Sequence, residues 1–214
     1  MNEKLYRSIL ERHPDVSIVV ASKYLNTLAD FMPFLEAGVR DFGENRAETL
    51  IDKNAMLADY PIRWHYIGTL QTKKVKKALP LIDRLHALDR LKLAEEIEKR
   101  HDDVLPCFVQ VNISGESRKH GFHPDDVERF VEKVASFEHI RLEGLMGMAE
   151  ETDDLQRIRS QFSLLRTLKE RLRVEHPHIT KLSMGMSQDY EIALAEGADV
   201  LRLGRILLSE ETYG

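Results

Sequence analysis

The sequence has few of the features on which disulfide-bonded, metal-clustered or membrane-embedded proteins depend. Cys107 is the single cysteine among 214 residues, so no disulfide can form within the chain and a thiolate metal cluster is disfavoured. No apolar run reaches the length that crosses a bilayer, and the charged start MNEKLYRSILERH lacks the apolar core of a signal peptide. These absences predict a reduced, cytoplasmic protein that does not bind membranes.

A basic excess and flexible linkers are also missing. The formal net charge is -5, so we do not expect a broad cationic surface for nucleic-acid phosphates. No Gly/Ser/Pro-rich or low-complexity tract divides the chain. We therefore expect one domain over residues 1–214, and no recognisable metal-site spacing stands out in it.

The sequence instead alternates short apolar runs with longer amphipathic segments. The runs predicted as strands are 16–23, 39–45, 63–69, 84–90, 105–114, 141–149, 181–187 and 200–207. The segments predicted as helices are 2–12, 30–37, 46–58, 71–79, 90–101, 124–137, 153–174 and 188–196. Repeated strand–helix units predict a parallel sheet covered by helices. Eight such units favour an α/β fold closed as a single (β/α)8 TIM barrel, with an open doubly wound sheet as the alternative.

Local signals set the expected helix ends. Asp30 can cap the helix DFMPFLEA, with Pro33 in its first turn, where proline is tolerated. Gly38 and Gly197 directly follow helical segments, as residues that end helices commonly do.

The stretch DVSIVVASKY raises the question of why a buried run ends on a charge. Lys23 follows the apolar core VSIVVA. A strand-closing lysine can simply extend its ammonium into water. In a barrel, however, the functional face is built from the carboxyl ends of the strands, and a lysine there can react with carbonyl compounds.

Two later segments indicate an anion site. Ser187 is expected at the start of an amphipathic helix, where a hydroxyl and backbone N–H groups can hold an anion, although a serine N-cap explains it equally. Gly204 near the end of the last strand gives backbone access, and Arg205 adds an N–H. Phosphate sites in barrels often use the loops after strands 7 and 8. Because strand 8 neighbours strand 1 on closure, Lys23 and an anion site could together bind a phosphorylated aldehyde.

Arg202 lies two residues before Gly204 and should therefore point to the same side of the strand. Its charge would be costly to bury alone. Either a partner carboxylate or an acceptor on a ligand would satisfy it, and the sequence leaves both open.

Other residues near the strand ends have structural explanations. Asn45 can cap a helix that starts at Arg46, and His65 is expected to be a hydrogen-bonded core histidine. Met146 and Met148 in LMGMA are typical gap-filling core residues, although the neighbouring glycines would let backbone approach a flat ligand.

Taken together, these motifs resemble the pyridoxal phosphate homeostasis protein family over nearly the whole chain. The matching segments are VVASKY, DFGENRAE, WHYIGTLQTKKVK, VNISGESRKHGF, LEGLMGMA and LSMGMSQDYEIALAEGADVLRLG. The resemblance implies a barrel like the N-terminal domain of alanine racemase, binding pyridoxal 5'-phosphate (PLP), with a role in intracellular PLP (vitamin B6) homeostasis.

The resemblance also implies roles for individual residues. Lys23 matches the lysine that holds PLP as an internal aldimine, and Arg202 matches the arginine that faces the pyridine nitrogen. Arg205 stands where a threonine is typical, so a hydroxyl is lost while the backbone N–H remains. The implied cofactor-binding residues are Lys23, Asn45, Met146, Met148, Ser187, Arg202, Gly204 and Arg205.

Three functions remain open at this stage. The first is a PLP carrier without robust turnover, a monomer that passes PLP to PLP-dependent apo-enzymes. It is favoured because related racemases use a tyrosine from an additional β-domain, and this sequence ends after the eighth unit. The second is a PLP-dependent enzyme such as an amino-acid racemase, and the third is an aldolase that uses Lys23 without a cofactor.

Overall fold

The computed structural model describes residues 1–116 and 119–208, and its central feature is a closed barrel of eight parallel strands in chain order. This confirms the predicted fold class over the open sheet. The strands are β1 Ser17–Ala21, β2 Asp41–Glu44, β3 Arg63–Tyr66, β4 Arg84–Leu88, β5 Leu105–Val111, β6 Ile140–Gly147, β7 Lys181–Ser183 and β8 Val200–Leu203. The helices are α1 Glu3–Arg12, α2 Leu28–Glu36, α3 Ala47–Met56, α4 Val75–Ala78, α5 Leu91–Arg100, α6 Val127–Val134, α7 Leu155–Arg173, α8 Tyr190–Ala195 and α9 Arg205–Leu208.

The barrel closes where β1 pairs with β8. Ser17 lies opposite Val200 and Val20 lies opposite Leu203 in parallel register. The segments that follow these two strands therefore leave the barrel side by side, although about 180 residues separate them in the sequence.

Apolar packing fills the layer between the strands and the helices. On the outer face of β2, Phe42 meets Phe31 of α2 with ring centroids 5.1 Å apart, and Trp64 of β3 at 6.2 Å. All three rings are almost completely buried, and burying rings of this size contributes much of a domain's stability. This layer fixes the orientation of the strands, so the inner faces are free to carry polar residues.

Several predicted boundaries were wrong, each for a local reason. α2 begins at Leu28 because Thr27, rather than Asp30, is its N-cap. The Thr27 hydroxyl accepts the backbone N–H of Asp30, and the Asp30 carboxylate accepts the backbone N–H of Thr27, which makes a capping box. Pro33 consequently lies inside the helix rather than in its first turn. The predicted strand over 200–207 ends at Leu203, and Arg205–Leu208 form the short helix α9.

The longest helix, α7, packs its buried face on the barrel and presents a charged face to solvent. Its 19 residues begin after Asp154, whose carboxylate accepts the backbone N–H groups of Gln156 and Arg157. Among the helices in the described ranges, none combines the length and the apolar character that a bilayer crossing requires.

Candidate functional site

Lys23 stands at the carboxyl end of β1, in a short 3-10 turn formed by Ser22–Tyr24. Its side chain is exposed, and its ammonium nitrogen lies 5.3 Å from the centroid of the Tyr24 ring. Gly204 is adjacent, since a Cβ added there would lie 3.4 Å from the Cβ of Ala21. The structure therefore brings Lys23 and the segment after β8 together at one open mouth.

A buried ion pair lies beneath the turn that carries Lys23. The ammonium of Lys53 is 2.7 Å from Oε2 of Glu44, and the two side chains are only 4% and 2% exposed. Lys53 also donates to the backbone oxygen of Ser22 at 2.6 Å, and the Ser22 hydroxyl lies 3.0 Å from the same Glu44 oxygen. Because these bonds hold the residue directly before Lys23, they restrict the direction in which the Lys23 side chain leaves the barrel.

Asn45 follows β2 at the same mouth, but it does not cap a helix as expected. α3 begins at Ala47 with Arg46 at the N-cap position. The Asn45 N–H donates to Oε1 of Glu44 at 2.8 Å, and its backbone oxygen accepts from the Tyr66 hydroxyl at 3.3 Å. The backbone of Asn45 is thus tied down while its side chain is exposed.

Ser187 lies in the turn before α8 rather than at the start of that helix. α8 begins at Tyr190, with Asp189 at the N-cap position. The Ser187 hydroxyl accepts the N–H of Ile206 at 3.4 Å. This bond joins the loop after β7 to the segment containing Gly204 and the exposed Arg205, so the proposed anion-binding groups are neighbours.

Arg202 points into the barrel and is 4% exposed. Its Nη1 donates to Oγ of Ser183 at 2.7 Å, and its Nη2 donates to the backbone oxygen of Gly147 at 3.0 Å. Burial lowers the pKa of Arg202 to about 10, and only the charge of Asp189 opposes this. Two hydrogen bonds use two of the five N–H donors of a guanidinium, so donors remain for an acceptor on a ligand.

The two methionines differ in exposure. Met146 is fully buried in β6, opposite Ser183 in the register with β7. Met148 follows the strand end and is partly buried against the core. Met146 therefore lies in the core behind the strand ends, and Met148 directly follows Gly147, whose carbonyl Arg202 contacts.

A row of polar side chains that the sequence had not revealed continues from Arg202 through the barrel. The Ser183 hydroxyl lies 2.7 Å from Nδ1 of His86, whose Nε2 lies 2.9 Å from Nδ1 of His65. The His65 Nε2 lies 3.0 Å from Oδ1 of Asp41. Since β4 and β7 are not neighbours in the barrel, the contact between His86 and Ser183 crosses the interior.

Burial dominates the protonation of this row. It lowers the pKa of His65, opposed by Asp41, and lowers the pKa of the fully buried His86 further. Against the effect of burial, hydrogen bonds from His65 and Arg63 hold the pKa of Asp41 below its usual range. These shifts favour neutral histidines and an ionised Asp41 at pH 7.

Comparison with known proteins gives a consistent set of relatives. The family described as alanine racemase, N-terminal domain, matches residues 2–211. A pyridoxal phosphate homeostasis protein of Aquifex aeolicus is 36% identical over 187 residues, covering 84% of this chain and 81% of the relative. One from Helicobacter pylori is also 36% identical and covers 95% of this chain and 92% of the relative.

Solved structures agree with these relatives. PipY of Synechococcus elongatus, solved with PLP bound, superposes with a TM-score of 0.89 at 29% identity, covering 98% of this chain and all 100% of that one. An alanine racemase of Clostridium difficile has a TM-score of 0.79 at 16% identity and covers 96% of this chain but 56% of its own. The latter likeness is one of fold alone.

The buried ion pair yields a test of stability. We expect Lys53→Met to lower the free energy of unfolding by about 3–5 kcal/mol, because it leaves the Glu44 carboxylate buried without its cation. Adding Glu44→Gln should recover part of that loss, because the unpaired charge is then gone. The measurement is chemical denaturation of the single and double variants.

Lys74→Met is the matched control for this experiment. Lys74 forms an ion pair with Glu48 at the surface, and exposed pairs contribute little, so no measurable loss is expected. Equal losses for Lys53→Met and Lys74→Met, or no recovery in the double variant, would contradict the buried pairing.

The histidines yield a prediction about pH. A group whose folded pKa is depressed loses stabilising free energy as the pH falls below its unfolded pKa, which for histidine is about 6.5. The free energy of unfolding should therefore fall between pH 7 and pH 5, whereas Asp41 acts only below about pH 4. We expect His86→Gln to reduce the fall by about 1–2 kcal/mol at pH 5.

Denaturation curves at pH 7 and pH 5 measure this effect. The exposed His123 provides the control, since His123→Gln makes the same replacement at an imidazole that is not buried. An equally steep fall in the His86→Gln variant would show that His86 is not the group responsible.

Proposed function

This chain belongs to the pyridoxal phosphate homeostasis protein family, whose barrel is that of the alanine racemase N-terminal domain, and we propose that it binds PLP at the mouth of the barrel and serves in PLP homeostasis, without robust catalytic turnover. One observation carries the proposal: three groups lie close together at one end of the barrel. They are Lys23, the two loops that contain Ser187 and Gly204, and the buried Arg202. Each of them suits a different part of PLP.

The chemistry of the three groups fits the cofactor. When bound, PLP supplies an aldehyde carbon that condenses with a primary amine with loss of water, a phosphate, and a pyridine nitrogen that accepts a hydrogen bond. Lys23 offers the amine, and its position is set by Ser22, Lys53 and Glu44. The exposure of Lys23 also leaves room for an acceptor to reach the bound cargo, which supports a carrier.

The phosphate is proposed to bind between the loops after β7 and β8. The Ser187 hydroxyl and the backbone N–H groups of Gly204 and Arg205 would hold it, because Ser187 already contacts this segment through Ile206. The Arg205 side chain is exposed beside them, so a cation stands where relatives typically place a hydroxyl. A cation there attracts the phosphate at longer range than a hydroxyl does.

Arg202, Asn45 and the methionines are proposed to hold the ring. A guanidinium can only donate hydrogen bonds, so Arg202 favours a pyridine nitrogen without a proton. The ring is then a weaker electron sink, which suits storage better than carbanion chemistry. Asn45 and Met148 would line the ring from neighbouring loops, with Met146 behind them in the core.

A PLP-dependent enzyme such as an amino-acid racemase is the second candidate. The fold shared with alanine racemase favours it, but that likeness stands at 16% identity. The relatives matched over most of both lengths are named homeostasis proteins. These names favour the carrier, for which we propose a monomer and PLP-dependent apo-enzymes as recipients of PLP.

The attachment point is the most direct test. Purified protein incubated with PLP and reduced with borohydride should carry its label on the peptide containing Lys23, as read by mass spectrometry. Lys23→Ala should abolish both the label and the visible absorbance, because the only proposed attachment amine is gone. Some phosphate-dependent binding of PLP should survive.

Lys133→Ala is the control, since Lys133 lies exposed in the last turn of α6, the helix that leads into the amino end of β6. It should label as the wild type does. A label that persists at another lysine in the Lys23→Ala variant would overturn the proposed site.

Turnover separates the carrier from the enzyme. We expect PLP-loaded protein to convert no member of a panel of L-amino acids faster than about 1 s⁻¹, an ordinary enzyme rate. Chiral chromatography and amine detection measure the products. Racemisation or decarboxylation above that rate would replace the carrier with the enzyme.

A further inference from the structure

The polar row between Arg202 and Asp41 has only one arrangement of donors and acceptors. A guanidinium has no acceptor, so Arg202 must donate to Oγ of Ser183. Ser183 is fully buried, and within the described part of the chain Nδ1 of His86 is the only acceptor bonded to its hydroxyl. If His86 donated instead, the hydroxyl proton would be buried without a partner, which is costly.

The remaining bonds follow from this first step. His86 accepts at Nδ1 and is neutral, so its proton is on Nε2 and is donated to Nδ1 of His65. His65 in turn carries its proton on Nε2 and donates it to Asp41. Arg63 fixes Asp41 as an acceptor by contacting both of its oxygens. The hydrogen bonds thus run in one direction from Arg202 to Asp41, across five strands.

We propose that Ser183, His86, His65 and Asp41 are positioning residues that hold Arg202 in the orientation that meets the pyridine nitrogen of PLP. The proposal rests on the proposed function for its ligand, but the one-way arrangement belongs to the protein without ligand. Ser183 and the Gly147 carbonyl each hold one terminal nitrogen of Arg202, so the plane of the guanidinium is fixed before PLP arrives. Asp41 is the last acceptor of the polar row and lies at the opposite end of the barrel from Lys23.

The groups around the polar row favour this direction of its hydrogen bonds. His86 stacks on Phe108 with centroids 4.6 Å apart. The charges that act on the two histidines are Arg84 and Arg202, which oppose a further proton, and Asp41 and Asp83, which favour one at His65. A proton added to Nδ1 of His86 would force Ser183 to accept from two donors and would loosen its hold on Arg202.

The first experiment determines the tautomers of His65 and His86 in the protein without PLP. In ¹⁵N NMR of the imidazole groups at pH 7, both His65 and His86 should be neutral with the proton on Nε2. A proton on Nδ1 of either ring, or a charged ring at that pH, would overturn the proposed series. This result does not depend on whether the protein binds PLP.

The second experiment compares two substitutions of His86 in PLP-loaded protein. His86→Phe keeps the stacking on Phe108 but removes both hydrogen bonds, whereas His86→Gln offers an acceptor and a donor at a similar separation. We expect His86→Phe to release PLP about tenfold faster, which is the size of effect that the loss of one ordinary hydrogen bond has, and to shift the pH at which the visible absorbance changes. His86→Gln should restore both towards the wild type.

Folding and binding are controlled separately. If His86→Phe does not fold, by circular dichroism and thermal unfolding, Ser183→Ala replaces it, since it removes the same link with less change in volume. If His86→Phe and Ser183→Ala both release PLP at the wild-type rate and keep the wild-type absorbance, the positioning role is overturned. If the wild type binds no PLP, the proposed function fails and the positioning role with it, while the tautomers still decide whether the series exists.

Discussion

The pairing of β1 with β8 is the constraint on which the rest of the arrangement depends. It places the turn with Lys23 against Gly204, and the bond from Ile206 to Ser187 adds the loop after β7. The closure and this bond make an amine, the proposed anion-binding loop and a buried guanidinium neighbours. An open sheet with the same strands would leave β1 and β8 at opposite edges, and the site would not form.

The barrel separates two kinds of packing. Outside the strands, aromatic rings such as Phe42 and Trp64 fill the space below the helices. Inside, Arg202 is buried with Ser183 as its partner, whereas the buried pair of Glu44 and Lys53 lies outside the strands, between β2 and α3. Buried groups of this kind add little net stability, but they restrict the orientation of the residues beside them, which a site for a flat ligand needs.

The sequence predicted the eight strands because each apolar run is short and is bounded by a charged amphipathic segment. It misplaced strand ends such as 200–207, because a strand and a following helical turn are both apolar there. Lys23, Ser187 and Gly204 could be found because residues at strand ends share one face of a barrel. His86 and Ser183 could not be paired, since 97 positions separate them, and only the shear and closure of the strands decide which inward side chains meet. A histidine among the apolar residues of RLHALDR was the available signal for His86.

The open setting of Lys23 has a consequence for selectivity. An amine in contact with solvent is accessible to any small aldehyde. The walls of the pocket therefore do not exclude aldehydes other than PLP. In the proposed site, discrimination would come from the two ends of the ligand, with the anionic tail near Ser187 and the ring nitrogen near Arg202. In the proposed site, an unphosphorylated vitamer would be held at its ring nitrogen alone and a simple sugar at neither end, so both would condense with Lys23 only briefly before the bond hydrolyses.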